Sequence, residues 1–171
     1  GIMWLSQLYK ETGVINILSE SLSSIIKNSK VILSLLPAVI GFLPVSGGAL
    51  MSAPLVDSEA EKLKMKPEKK AYVNLWFRHT IFPIYPISPV LIITAALTGL
   101  AIPLIILRQL PVVVVMITIG YFFSFWKIPQ NKTESFSKNN RHSEFKRFLT
   151  AFSPILATIL VVVALDLVGL G

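Results

Sequence analysis

The sequence contains no cysteine, which excludes disulfide frameworks, thiolate metal centres and cysteine nucleophiles together. Charge is scarce as well. Only 15% of the residues are charged, acidic residues number 9 against 16 basic ones, and histidine occurs twice. No charge falls in 31–56 or in 80–107, and 149–171 holds Asp166 alone. With 53% hydrophobic residues and a mean hydropathy of +0.69, the chain has more apolar surface than one core of 171 residues encloses. The excess must face lipid, and charge-free gaps of this length are what a hydrocarbon slab selects.

Catalytic signatures are missing too. There is no His-Glu-x-x-His pair, no Gly-x-Ser-x-Gly elbow and no phosphate-cradling glycine loop ahead of Lys-Ser or Lys-Thr. No catalytic residue, metal ligand or cofactor is therefore assigned.

What is present is an alternation of apolar runs and basic connections. The net charge of +7 would point a soluble protein toward nucleic acid, but here Lys and Arg gather between the apolar runs, where they act as topology signals. The expected partner is a lipid bilayer, not a nucleic acid. The fold class that follows is all-α, a polytopic membrane helical bundle.

A crossing of the roughly 30 Å hydrocarbon core takes about 20 helical residues. Three runs approach that length: 87–107, 110–126 and 149–171. The first two are separated by Arg108 and Gln109, with Pro111 in the next first turn, and predict a tight hairpin. Trp126 and Lys127 suit an aromatic belt with a snorkelling cation. The connection 127–148 carries Lys127, Lys132, Lys138, Arg141, Lys146 and Arg147 against Glu134 and Glu144, and 58–70 carries Lys62, Lys64, Lys66, Lys69 and Lys70. By the positive-inside rule both are cytoplasmic, which places the chain in a cell membrane of the cytoplasmic type as a multi-pass protein. The aromatic segment 71–86, with Arg78, His79, Pro83 and Pro86, predicts a short interfacial helix. His142 belongs to the solvated loop, and Asp166 lies close enough to the end of its run to reach an interface.

Nearer the start, 14–27 sets Val14, Ile15, Leu18, Leu22, Ile25 and Ile26 on one side and Asn16, Ser19, Glu20, Ser23 and Ser24 on the other. That is an amphipathic helix, either at the surface or lining a polar cavity. Residues 1–10 read as the last turns of an apolar helix, with Trp4 and Tyr9 at an interface. Neighbouring membrane segments are expected beyond both ends.

The segment 31–56 is uncharged yet interrupted by Pro37, Gly41, Pro44, Gly47, Gly48 and Pro54. Such a run does not span as one rod. Irregular backbone at membrane depth is tolerated only when enclosed by protein or lining a watery cavity, so the segment predicts a re-entrant or Pro/Gly-broken hairpin. Small residues at its tip let backbone amides and the Ser46 and Ser52 hydroxyls approach a solute, since half-helix ends offer partial charges of either sign. The competing role for Gly47 and Gly48 is close helix packing.

The stretch 36–57, continued by Asn74-Leu-Trp-Phe-Arg-His79 and Phe82-Pro-Ile-Tyr-Pro86, resembles a segment of an uncharacterised family of prokaryotic multi-pass proteins. That family is allied to the ion-transporter superfamily, which includes gluconate-type and dicarboxylate permeases. The resemblance covers roughly 30–100. It implies two inverted repeats with re-entrant hairpins meeting at a central site, of which this chain is about one half, so a missing second half or a homo-oligomer is expected.

The functional expectation is a secondary transporter, not an enzyme, for a small organic anion driven by a proton or sodium gradient. Ser46, Gly47, Gly48, Ser52, Asn74 and Arg78 are the expected substrate-binding residues, and Asp57 and His79 the ion-coupling ones. Two alternatives stand beside it: a membrane enzyme using His79, Arg78 and Asp57 at the cytoplasmic interface, and a non-catalytic membrane assembly subunit.

Overall fold

A computed structural model describes residues 11–42, 48–129 and 141–168. Among the described residues the regular structure is helical with no strand, the all-α bundle that the composition predicts. The stretch 1–10, the hairpin tip at 43–47, part of the basic loop at 130–140 and the end 169–171 lie outside the described residues.

Helix α1, Val14–Ile25, starts after Gly13 in the left-handed region at φ 66 and stops where Ile26 turns extended, slightly short of the expected 14–27. Its 3.6-residue period buries Leu18, Ser21 and Leu22 and leaves Asn16 and Glu20 exposed. The buried face packs mainly on α7, Arg141–Leu167. Ser21 donates to Glu144 of that helix at 3.3 Å.

Helix α2, Ser29–Gly41, is capped by the Asn28 side chain, which accepts from Lys30 N at 3.0 Å. It is the central element, with Ile32, Leu33, Leu36, Pro37 and Ile40 fully buried. An apolar helix covered on most sides is a core helix. Helix α3, Gly48–Glu61, folds back along it. At 13 and 14 residues each arm is about 20 Å long, too short for a full crossing. Two short arms therefore lie side by side over the expected 31–56 segment, and residues 43–47 between them lie outside the described residues. Pro37 and Pro54 lie inside the helices, because packing on neighbouring helices outweighs the one backbone bond each proline removes.

Helix α4, Pro67–Thr80, begins on Pro67 with Lys66 as N-cap and carries Glu68 in its first turn and Arg78 and His79 in its last. Those charges suit the two ends of the helix dipole. The basic connection predicted at 58–70 shrinks to the residues between Glu61 and Pro67. The segment 71–86, expected along the membrane surface, instead packs against α2, α3 and α6, with Val73, Asn74, Phe77, Arg78 and Thr80 buried. The apolar residues of 71–86 face helices as well as lipid, which one-sided periodicity does not reveal. A 3-10 turn, Phe82–Ile84, then leads to α5, Pro89–Thr98.

Helix α6, Ile102–Phe125, runs unbroken through Arg108, Gln109 and Pro111. This corrects the expected spans at 87–107 and 110–126 and their turn at Arg108. Arg and Gln are good helix formers, and the effective stop is Gly99 at φ 66, followed by Pro103 in the first turn of α6. Helix α7 likewise begins at Arg141, ahead of the predicted 149–171.

Polar contacts fix the register. Lys69 Nζ donates to the carbonyls of Phe123 and Ser124 at 3.3 Å, and the Trp76 indole N–H donates to Met116 O at 2.9 Å. Helices α4 and α6 are therefore antiparallel, and Lys30 Nζ, 2.5 Å from Ile128 O, sets the start of α2 at the same end. Met116 lies about 21 Å along α6, a helix about 36 Å long.

Three stretches are long and apolar enough to cross a membrane: Pro67–Thr98, Ile102–Phe125 and His142–Leu165. The outward faces of α5, α6 and α7 expose Val90, Leu97, Leu107, Val114, Phe123 and Leu160. Continuous apolar surface of this extent marks a membrane protein. Antiparallel α4–α5 and α6 return the chain to its starting side, so both basic connections share one side.

Two outcomes check this arrangement. Because the chain has no native cysteine, single cysteines at Lys64 and Lys127 should react with an impermeant maleimide from one side and one at Leu100 from the other. Arg108→Cys, about 9 Å into α6 and not in a turn, should react less than the cysteine at Leu100. Gly120 lies directly under the Trp76 indole, so Gly120→Ala should lower stability in detergent by about 1–3 kcal/mol. Adding Trp76→Leu should recover part of that loss.

Candidate functional site

The site is built where the hairpin meets the last turns of α4. Asn74 Nδ2 donates to Ala49 O at 2.8 Å, and with the nitrogen committed there, Asn74 Oδ1 accepts the Ser52 hydroxyl at 2.5 Å. A hydroxyl has one proton to give, so the Ser52–Ala49 O contact at 3.2 Å is the weaker alternative. One amide side chain thus ties the first turn of α3 to α4.

Arg78 does the same for α2. It is 7% exposed, and Nη1 donates to Ile40 O at 3.2 Å. The Tyr85 hydroxyl donates to Phe42 O at 2.8 Å, and the two rings meet edge-on at 5.5 Å. The carbonyls that end α2 are thereby satisfied by a cation and a phenol, as a buried helix C-terminus requires. Gly41 makes the approach possible: a Cβ there would stand 3.0 Å from the Arg78 carbonyl oxygen.

The electrostatics are one-sided. An arginine carries five N–H donors, and the contact to Ile40 uses one nitrogen. Among the described residues no carboxylate forms an ion pair with Arg78. A buried guanidinium with donors to spare and no counter-charge attracts an anion.

A cleft of about 340 Å³ between α3 and α4, lined among others by Pro54, Asp57, Lys70, Ala71 and Asn74, leads from the basic end toward the tip. At its mouth Lys70 Nζ pairs with Asp57 at 2.8 Å and also with Glu61.

Of the residues expected from the sequence, Ser52 and Asn74 are hydrogen-bonded to each other, Arg78 stands one turn further along α4 against the end of α2, and Gly48 opens α3. Ser46 and Gly47 lie outside the described residues. Asp57 stands at the cleft mouth, exposed and paired with Lys70, not at the tip. His79 is exposed on the opposite side of α4, its Nδ1 2.6 Å from Leu75 O and its ring 5.0 Å from that of Phe82. The trio His79, Arg78 and Asp57 is not gathered into one centre. No group of three or more potential metal-ligating side chains occurs among the described residues.

Tyr85 was not among the residues expected at the site. Its signal is a tyrosine between Pro83 and Pro86, where broken backbone leaves carbonyls in need of donors. Glu59, buried at the far end of α3 with Oε2 2.5 Å from Lys62 and Oε1 without a partner, was hidden within the basic connection.

The Ser52–Asn74 pair should behave as one unit. Ser52→Ala and Asn74→Ala should each destabilise the protein by about 1–3 kcal/mol. Together they should cost less than the sum, with a coupling of about 1 kcal/mol in a double-mutant cycle of thermal unfolding.

A family model described as "Protein of unknown function (DUF401)" matches residues 2–170. No curated protein and no solved structure matches the chain.

Proposed function

We propose that this chain, which belongs to the DUF401 family, is a secondary transporter, or one half of one, for small organic anions. The observation that carries the reading is Arg78, a buried cation at the end of the short helix α2 with no carboxylate partner among the described residues.

The surrounding geometry supports it. The end of α2 and the first turn of α3 meet α4 near the middle of α6, and Tyr85, just past the 3-10 turn that breaks the stretch Pro67–Thr98, reaches Phe42. Discontinuous helices meeting at mid-depth are how membrane transporters build solute sites from helix ends. The cleft ending at Asn74 supplies an approach from the basic side, which is cytoplasmic by the positive-inside rule. An anionic solute reaching the tip would find the unused Arg78 donors and the first turn of α3.

An alliance of this family with the ion-transporter superfamily, the expectation raised by 36–57, 74–79 and 82–86, would accord with this reading, and a proton or sodium gradient would supply the drive. The cell membrane is the place for such a protein. A single hairpin offers one side of a site, and a second such unit, in another copy or elsewhere in the parent protein, would close it.

Uptake of labelled mono- and dicarboxylates into proteoliposomes, under an inward proton or sodium gradient, tests the proposal. Wild-type protein should accumulate at least one of them. Arg78→Ala should lower the rate by at least about tenfold, the loss of one charge-assisted hydrogen bond. His79→Gln should retain uptake. A wild-type protein that moves no carboxylate, or an Arg78→Ala variant that moves them unimpaired, would sink it.

A further inference from the structure

A second recognition site lies on the outside of the bundle. Between α4 and α6 runs a groove of about 450 Å³ lined by Glu68, Lys69, Tyr72, Trp76, Ile119 and Phe123. Its walls are almost wholly apolar and aromatic, and its charged residues, Glu68 and Lys69, stand at the end where α4 begins.

The groove is preformed. The Trp76 indole is fixed by its hydrogen bond to Met116 O at 2.9 Å and lies over Gly120, which leaves it room. Tyr72 stacks on Trp76 with centroids 5.3 Å apart. These contacts hold two ring faces as a rigid wall before anything binds.

Both flanking helices belong to stretches able to cross a membrane, so what fills the groove comes from the bilayer or from another protein. Charge decides between them. Lys69 is held at the mouth by the Phe123 and Ser124 carbonyls at 3.3 Å, and an ammonium has a third proton to offer. Lys66 precedes it by one turn and Lys127 follows the end of α6, so three cations mark this end against Glu68, whose charge is matched by the N-terminus of α4. Exposed Phe122 and Trp126, with rings 4.3 Å apart, add an aromatic belt at the same level.

From this arrangement we infer that the groove binds one anionic phospholipid, its phosphate on Lys69 and an acyl chain along Tyr72, Trp76 and Phe123. Basic pockets between membrane helices take up acidic headgroups in this way. From Lys69 to Trp76 the groove follows about 10 Å of helix, which brings the upper part of a chain against the rings. Bound lipid would clamp α4 to α6 and so hold the helix that carries Asn74 and Arg78.

Tryptophan fluorescence of the full chain reads this out. With Trp4→Phe and Trp126→Phe, Trp76 is the single reporter, in phosphatidylcholine vesicles doped with brominated phosphatidylglycerol or brominated phosphatidylcholine. The anionic lipid should half-quench Trp76 at about a fivefold lower mole fraction than the zwitterionic one, the worth of one lysine at the surface. Lys69→Gln should abolish the difference and Lys69→Arg keep it. Equal quenching by both lipids, or a preference that survives Lys69→Gln, would overturn the inference. Failure of either lipid to quench would overturn it as well, by showing that protein covers the groove.

Discussion

Backbone carbonyls that end a helix far from water must find donors, and this requirement organises the molecule. The end of α2 is buried among helices, so its last carbonyls cannot turn to solvent. Arg78 and Tyr85 supply the donors for Ile40 and Phe42, and Asn74 donates to the Ala49 carbonyl in the first turn of the returning arm. All three donors belong to α4 and the irregular stretch after it, so the hairpin and the broken crossing helix define each other. The core cluster of Ile32, Leu33, Leu36, Val73 and Phe77 fills the space between these polar ties.

Register follows from the same economy of polar groups. The Lys69 and Trp76 contacts to α6 carbonyls set α4 and α6 antiparallel. With that pairing, α4, its 3-10 turn and α5 form one outward passage and α6 the return. The two lysine-rich connections end on one side, although the expected spans at 87–107 and 110–126 had the wrong turn.

Much of this architecture was legible in the residues. Charge-free runs announced apolar helices, the period of 14–27 announced an amphipathic helix, and clustered Pro and Gly announced short helical arms, one of which carries Ser52 to Asn74. Three things were not legible. A proline marks a possible break but not an actual one, so Pro37, Pro54 and Pro111 looked like ends and proved to be interior. Burial of α4 depends on three neighbours that local periodicity does not see. Direction around a helix separates adjacent residues, so Arg78 points inward and His79 outward, which no property of the pair Arg-His discloses.

The closeness of Gly41 to the Arg78 carbonyl has an evolutionary consequence. The outer faces of α5 and α6 are exposed over much of their length among the described residues, so one aliphatic residue there serves nearly as well as another, and substitution should run freely. At Gly41 two main chains approach within van der Waals range, and even a methyl group would wedge the central helix from its neighbour. Sequence drift in this chain is therefore expected to be permissive toward the bilayer and unforgiving at close approaches such as Gly41 inside.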